Sequence, residues 1–221
     1  MSIAPAIRPP SKEEVVAEPF SLPFDLRNLP LPLTILPARP LTDEELLAFC
    51  ADNDGLDIES DADGSITVMS PVKWKTSKLN RILEVELELW ARQTRTGEFF
   101  GPDLGVRFAD RTLRAPDVAW MSNESRARAE KDEEENPGFL HFCPEFIAEI
   151  RSRSDRASQI EAKMEFWMSR GAQLGWLIDP IRKLAMIYRP SQEPETFLKP
   201  EFLQGEGPLE GFRLEMKEFW A

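Results

Sequence analysis

The order of apolar runs predicts an α/β sandwich with a mixed sheet, and three observations carry the prediction. Residues 77–95 and 155–170 repeat apolar side chains at helical spacing. Several runs of strand length lie between and after them, and Leu174 to Ile178 is a continuous apolar run, the mark of a strand buried on both faces. The elements do not alternate strand and helix regularly, as a barrel or a dinucleotide-binding fold requires.

Residues 1–40 hold nine of the nineteen prolines and no glycine, a density that blocks helices and central-strand ladders and predicts an extended arm. Its apolar subset, Phe20, Leu22, Phe24, Leu26, Leu29, Leu31, Leu33 and Ile35, suits packing against the domain or against a partner chain. The folded domain is expected over 41–221. Thr42-Asp43-Glu44-Glu45 has the form of a capping box ahead of a short helix to about Ala51. Leu56 to Glu59 and Ser65 to Met69 flank Asp61-Ala62-Asp63-Gly64, a hairpin signal. The long helix over 77–95 takes its stripe from Leu79, Leu83 and Trp90, flanked by Ile82 and Leu87. Short strands are expected near Glu98 to Phe100, Val106 to Ala109 and Ala115 to Met121, then a charged surface helix or loop over 123–135. Pro144 to Ile150 reads as a strand, Asp155 to Arg170 as a helix ended by Gly171, and Lys183 to Tyr188 as a strand after the Asp179-Pro180 turn.

Composition prunes the chemistry. The chain of 221 residues is 42% hydrophobic and 30% charged, with net charge -12 and one histidine, His141. A multi-histidine metal site is excluded, and a Ser-His-Asp or Cys-His hydrolase would have to run on His141. Cys50 and Cys143 are far apart and form no CxxC, against a disulfide scaffold or structural zinc. Any metal must therefore be held mainly by carboxylates, whose hard oxygens favour magnesium or manganese. No run approaches the ~20 apolar residues of a membrane span, and Met1 to Pro10 lacks a basic patch followed by an apolar core. A cytoplasmic setting without membrane contact is expected. No phosphate-cradling glycine motif follows a strand.

Strand alternation selects the candidate site. Pro116, Val118 and Trp120 share one face and Asp117, Ala119 and Met121 the other; Phe146, Ala148 and Ile150 oppose Glu145, Ile147 and Glu149. Asp117 and Glu149 can thus meet at the ends of adjacent strands and bind one divalent cation, or stand as exposed edge carboxylates. The next helix buries Ile160, Met164, Trp167 and Met168, with Lys163 on the stripe's edge, either reaching the carboxylates or snorkelling. Gln159, one turn earlier, lines the same approach. Glu86 falls within the apolar stripe of the first long helix, where a charge needs a partner or an exposed helix end. Lys73, Lys75, Lys78, Arg81, Arg92 and Arg95, with Arg107, Arg111 and Arg114, form either a phosphate-facing path or a solvated, paired face. Trp74 either stacks a base or covers the core, and His141, Cys50 and Cys143 are assigned to packing.

Pro116-Asp117, Glu149-Ile150-Arg151-Ser152, Lys163, Gly171, Trp176-Leu177-Ile178-Asp179-Pro180 and Ile187-Tyr188, in that order, resemble the Uma branch of restriction endonuclease-like proteins in the PD-(D/E)XK nuclease superfamily. Met69-Ser70-Pro71 and Leu209-Glu210-Gly211-Phe212 also fit, so the resemblance spans residues 40–215. Glu149 follows Asp117 by 32 residues and Lys163 follows Glu149 by 14.

The resemblance implies a restriction-endonuclease-like α/β sandwich with a metal-dependent phosphodiesterase site acting on DNA. Asp117 and Glu149 would ligate Mg2+ (or Mn2+), helped by the Ile150 carbonyl, and Lys163 would replace the lysine usually found two residues after the acid. That position holds Arg151, which either supplies the charge or pairs with Glu149 and blocks the metal. Glu86, Arg151 and Gln159 are accessory candidates. A homodimer is expected, since double-strand cleavage needs two sites. Two other readings share the fold: a noncatalytic nucleic-acid or protein interaction module, and a phosphodiesterase acting on RNA.

Overall fold

The computed structural model describes residues 26–69 and 73–221. Residues 1–25, with Phe20, Leu22 and Phe24, lie outside the described residues, as do Ser70 and Pro71 of the Met69-Ser70-Pro71 motif. A 3-10 turn, Leu26–Asn28, leads into β1 (Leu33–Ile35), α1 (Asp43–Asp52), β2 (Asp57–Ser60), β3 (Ile66–Met69) and α2 (Trp74–Thr94). Then come β4 (Gly97–Phe100), β5 (Val106–Arg107), β6 (Leu113–Arg114), β7 (Val118–Ser122), α3 (Asn123–Glu135), β8 (Phe146–Ile150) and α4 (Ala157–Ser169). The chain ends with β9 (Leu174–Asp179), β10 (Leu184–Tyr188), β11 (Glu195–Leu198), β12 (Phe202–Gln204), β13 (Arg213–Glu215) and two further 3-10 turns.

The central sheet is mixed, with order β11-β10-β9-β8-β7-β4. Only β8 and β9 run parallel, as the intervening α4 crossover permits, and their residues are buried throughout. Alternation along β7 and β8 divides the interior in two. Val118, Trp120, Phe146, Ala148 and Ile150 join α2 and the C-terminal segment in one core, where Leu79, Leu83, Leu87 and Ala91 meet Leu203, Leu209, Phe212, Leu214 and Phe219. Ala119, Met121 and Ile147 face Ile160, Met164 and Trp167 of α4 in the other.

A second, antiparallel sheet, β1-β3-β2-β6-β5, packs α1 through Leu46 and Phe49 against Ile58, Ile66, Val68 and Leu113. It includes the expected hairpin, with Ile58 opposite Val68. The late proline-rich segment joins this sheet: β1 pairs with β3 at the edge, the position that proline tolerates, and Leu26 is fully buried. The helix starting at Trp74 is longer than periodicity suggests, and β1, β6 and the strands after Tyr188 were not expected; β6 has two residues and β1, β12 and β13 three each. The 123–135 segment is helical but buries no residue. No helix among the described residues is long and apolar enough to cross a membrane.

The capping box forms as expected. Glu45 N–H donates to Thr42 Oγ1 at 3.2 Å, Thr42 N–H donates to the Glu45 carboxylate at 2.9 Å, and Arg39 grips the same carboxylate. Thr42→Ala removes one of these bonds, and its urea denaturation should report a loss of ~1 kcal/mol with the slope unchanged.

Candidate functional site

The site begins with the pleat of β8, which turns Glu149 with Ile147 toward α4 while Ala148 and Ile150 face α2. Glu149 is 1% exposed, and two residues one helical turn apart on α4 meet it there. The Trp167 indole Nε1–H donates to Glu149 Oε1 at 2.8 Å, and the Lys163 ammonium lies 3.1 Å from the same oxygen.

Lys163 Nζ also donates to the Ala115 carbonyl at 2.7 Å and lies 3.0 Å from Glu59 Oε1. Three oxygens from three parts of the chain therefore surround the ammonium, one a hydrogen-bonded carbonyl and two from carboxylates in ion-pair contact. Ala115 and Pro116 cross from β6 of the second sheet to β7 of the central one, and Asp117 stands at the end of that crossing. Its carboxylate accepts the Ile150 N–H at 2.7 Å on Oδ2 and the Asn80 side-chain amide at 3.3 Å on Oδ1. Asn80 comes from α2, so elements on both faces of the central sheet converge where β7 begins and β8 ends.

The electrostatics follow from this crowding. Burial pushes the Glu149 carboxyl up to about 8; Asp117 and Glu59 push the same way, and Lys163 and Trp167 oppose them. Burial likewise raises Asp117, against Lys163 and the Ile150 N–H. Burial works against the charge of Lys163, yet Glu149, Glu59 and Asp117 together hold its pKa well above the ordinary lysine value. Glu84 and Asp57 are raised too, first by burial and then by neighbouring carboxylates, Asp117 and Asp103 for Glu84, Glu59 and Asp103 for Asp57.

Asp117, Glu149 and Lys163 are thus brought together, and the accessory candidates are not. Arg151 does not pair with Glu149. Its guanidinium donates to Asp179 Oδ2 at 2.8 Å and to the Asp155 carbonyl, where it helps neutralise a carboxylate that is 0% exposed. Arg182 grips the same Asp179, so Arg151 belongs to a structural cluster at the end of β9. Glu86 is exposed on α2 and does not face the site; Glu84, half-buried beside Asn80's turn, is the helix carboxylate that feels Asp117. Gln159 is exposed in the first turn of α4.

Four of the nine residues of the basic path are absorbed by ion pairs. Arg107 is buried on Asp43 at 2.8 Å and on Ser60, Arg114 holds Glu59 and Asp61, Arg92 holds Glu88, and Lys78 holds Glu218. His141 does more than pack: Nδ1 lies 3.0 Å from Asp132 and Nε2 lies 3.7 Å from Asp43. Burial pushes the thiols of Cys50 and Cys143 up to about 11 and about 12, so neither is a ready nucleophile. Sequence reading missed Glu59. It sits on a short alternating strand of the other sheet and meets Lys163 across 104 residues, a contact to which no local period points.

A mixed sheet with its central parallel pair ending in carboxylates, and a lysine returned by the crossover helix, defines a restriction-endonuclease-like nuclease fold. The chain belongs to the Uma2 family, described as "Putative restriction endonuclease", whose model matches residues 43–217. It is similar to a crystal structure from Anabaena variabilis described as a "putative nuclease belonging to DUF820". The two share 24% identity at a TM-score of 0.63, over 74% of this chain and 89% of that one. No curated protein matches the chain.

The raised Glu149 gives a signed pH effect. The folded chain keeps the Glu149 proton up to about pH 8, whereas the unfolded chain releases it in the ordinary range near ~4.3. Between those values the folded state binds more protons, so this contribution is full below the lower one and is lost as pH rises through the upper one. Urea denaturation at a series of pH values should show Glu149→Gln flattening the fall in stability from pH ~5 to ~8.

Proposed function

We propose that the chain is a metal-dependent endonuclease that hydrolyses DNA phosphodiester bonds with Asp117, Glu149 and Lys163. The observation that carries the reading is the Lys163 ammonium held against Glu149 beside Asp117, where two sheet strands end. No group of three or more histidine, cysteine or acidic side chains among the described residues is placed to hold a metal. The donor set that the family resemblance implies is Asp117, Glu149 and the Ile150 carbonyl. All are hard oxygens, and the remaining positions are left for water and phosphate, as Mg2+ prefers and Mn2+ accepts. The fit is supported by Glu149 itself, whose two contacts, from Lys163 and Trp167, both fall on Oε1. A buried carboxylate with a second oxygen to offer is a natural cation ligand. When bound, the ion lowers the pKa of a water and neutralises charge on the phosphate.

The protein's own groups do the rest. Lys163 orients the nucleophilic water and donates to the developing charge, an arrangement that requires one of its three acceptors to yield. The Ile150 N–H and Asn80 fix the Asp117 carboxylate, and Trp167 fixes Glu149. With Arg151 committed to Asp179, the charge at the usual superfamily position is unavailable, which supports Lys163 as the donor and removes the basis for a blocked site. We further infer a homodimer, each copy cutting one strand, in the cytoplasm, where two free thiols persist.

The test is nicking of supercoiled plasmid. Activity should need Mg2+ or Mn2+, vanish in EDTA and in Asp117→Asn, and fall ~10²–10³-fold in Lys163→Ala, the usual loss of one transition-state donor. Undiminished cleavage in EDTA, or of RNA alone, would overturn the reading.

A further inference from the structure

The cations near the site sort into two groups. Arg107, Arg114, Arg151 and Lys163 are all committed to carboxylates of the domain itself. Lys73, Lys75 and Arg81 of the α2 start, and Arg153 and Arg156 of the loop between β8 and α4, are exposed and enter no close ion pair among the described residues, although Arg81 is near enough to Glu84 for its charge to act on that carboxyl. Residues 73–81 hold four cations and no acid, in a chain of net charge -12.

Each of the two segments that carry these cations is tied to Asp117. Lys73 precedes Asn80 by two helical turns, on the same side of α2 and ~10 Å along its axis, and Asn80 bonds Asp117. The β8–α4 loop starts at the strand end whose Ile150 N–H bonds Asp117, and its Asp155 is close enough to raise the Asp117 pKa. At the first residue of α2, flanked in sequence by Lys73 and Lys75, stands Trp74, 73% exposed, with the Lys75 ammonium 5.6 Å from its ring centroid. A tryptophan so exposed contributes little to the core. Its flat face among unpaired cations matches a nucleic-acid strand in both parts, phosphates for the charges and a base for the indole.

Resting on the nuclease reading for its direction toward the site, we propose that Trp74, Lys73, Lys75, Arg81, Arg153 and Arg156 form a surface for single-stranded DNA. Trp74 stacks on a base that is not paired, and the cations track the backbone toward Asp117. Stacking on an exposed indole requires an open base face, which a continuous duplex conceals. The preferred substrate therefore presents an unpaired stretch at the site.

Binding can be separated from cleavage by working in EDTA. Fluorescence anisotropy with a labelled 15-nucleotide single strand and with a blunt duplex, on the full chain, should show preference for the single strand. Trp74→Ala should weaken that binding ~10- to 100-fold and Trp74→Phe only a few-fold, with duplex binding little changed. Arg153→Ala should reduce the slope of log affinity against log salt by ~0.7. Urea curves matching wild type would keep misfolding from counting as a loss. Trp74→Ala binding as tightly as wild type, equal or better binding of duplex, or no binding of either would overturn the surface, even if plasmid is nicked. Single-strand binding that depends on Trp74, without nicking in Mn2+, would instead overturn the nuclease reading and leave the surface standing.

Discussion

Everything at the candidate site hangs on one partly buried lysine ammonium. Lys163 is enclosed by Glu149, Glu59 and the Ala115 carbonyl, and each of the three lies on a different stretch of backbone. A charge in such surroundings is tolerable only while its partners stay within reach, and removing one partner of a buried pair costs ~3–5 kcal/mol. The arrangement therefore constrains α4, the end of β8, the hairpin strand β2 and the crossing before β7 to one relative placement. Trp167 strengthens the same constraint from the next turn of α4 by holding the oxygen that Lys163 shares.

That constraint also explains why burial and charge coexist here. Glu149 faces an apolar layer containing Ile147, Met164 and Trp167, which by itself favours the neutral acid. Lys163 pulls toward the ionised form, and Asp117 and Glu59 push back. A site balanced in this way responds strongly to any added positive charge. Under the function proposed above, that added charge would be the divalent cation held by Asp117 and Glu149.

Much of this was legible in the sequence because it follows from short periods. The two-residue period of strands put Asp117 and Glu149 on definite faces, and the helical period placed Lys163 at the edge of the stripe built by Ile160, Met164 and Trp167. The errors arose where a side chain's size misled the phase or where the contact was distant. Trp90 drew the apolar stripe of α2 toward Glu86, but Leu87 and Ala91 are the buried residues and Trp90 is only partly covered. The true stripe is rotated toward Asn80, and Glu84 comes to its edge. Glu59 and the Arg151–Asp179 pair depend on which strands become neighbours, and side-chain pattern within one strand does not contain that information.

The passage from β6 to β7 spans only Ala115, Pro116 and Asp117, and two of these three residues are anchored, one through its carbonyl and one through its carboxylate. Such a link has no slack. Swinging the two sheets apart like jaws would tear the ammonium from at least one acceptor, so the layers behave as a single anvil. Under the proposed function, a bulky polymer would be accommodated by side chains and loops at the rim, so that the shape of what enters would be selected at the entrance, before the candidate site is reached.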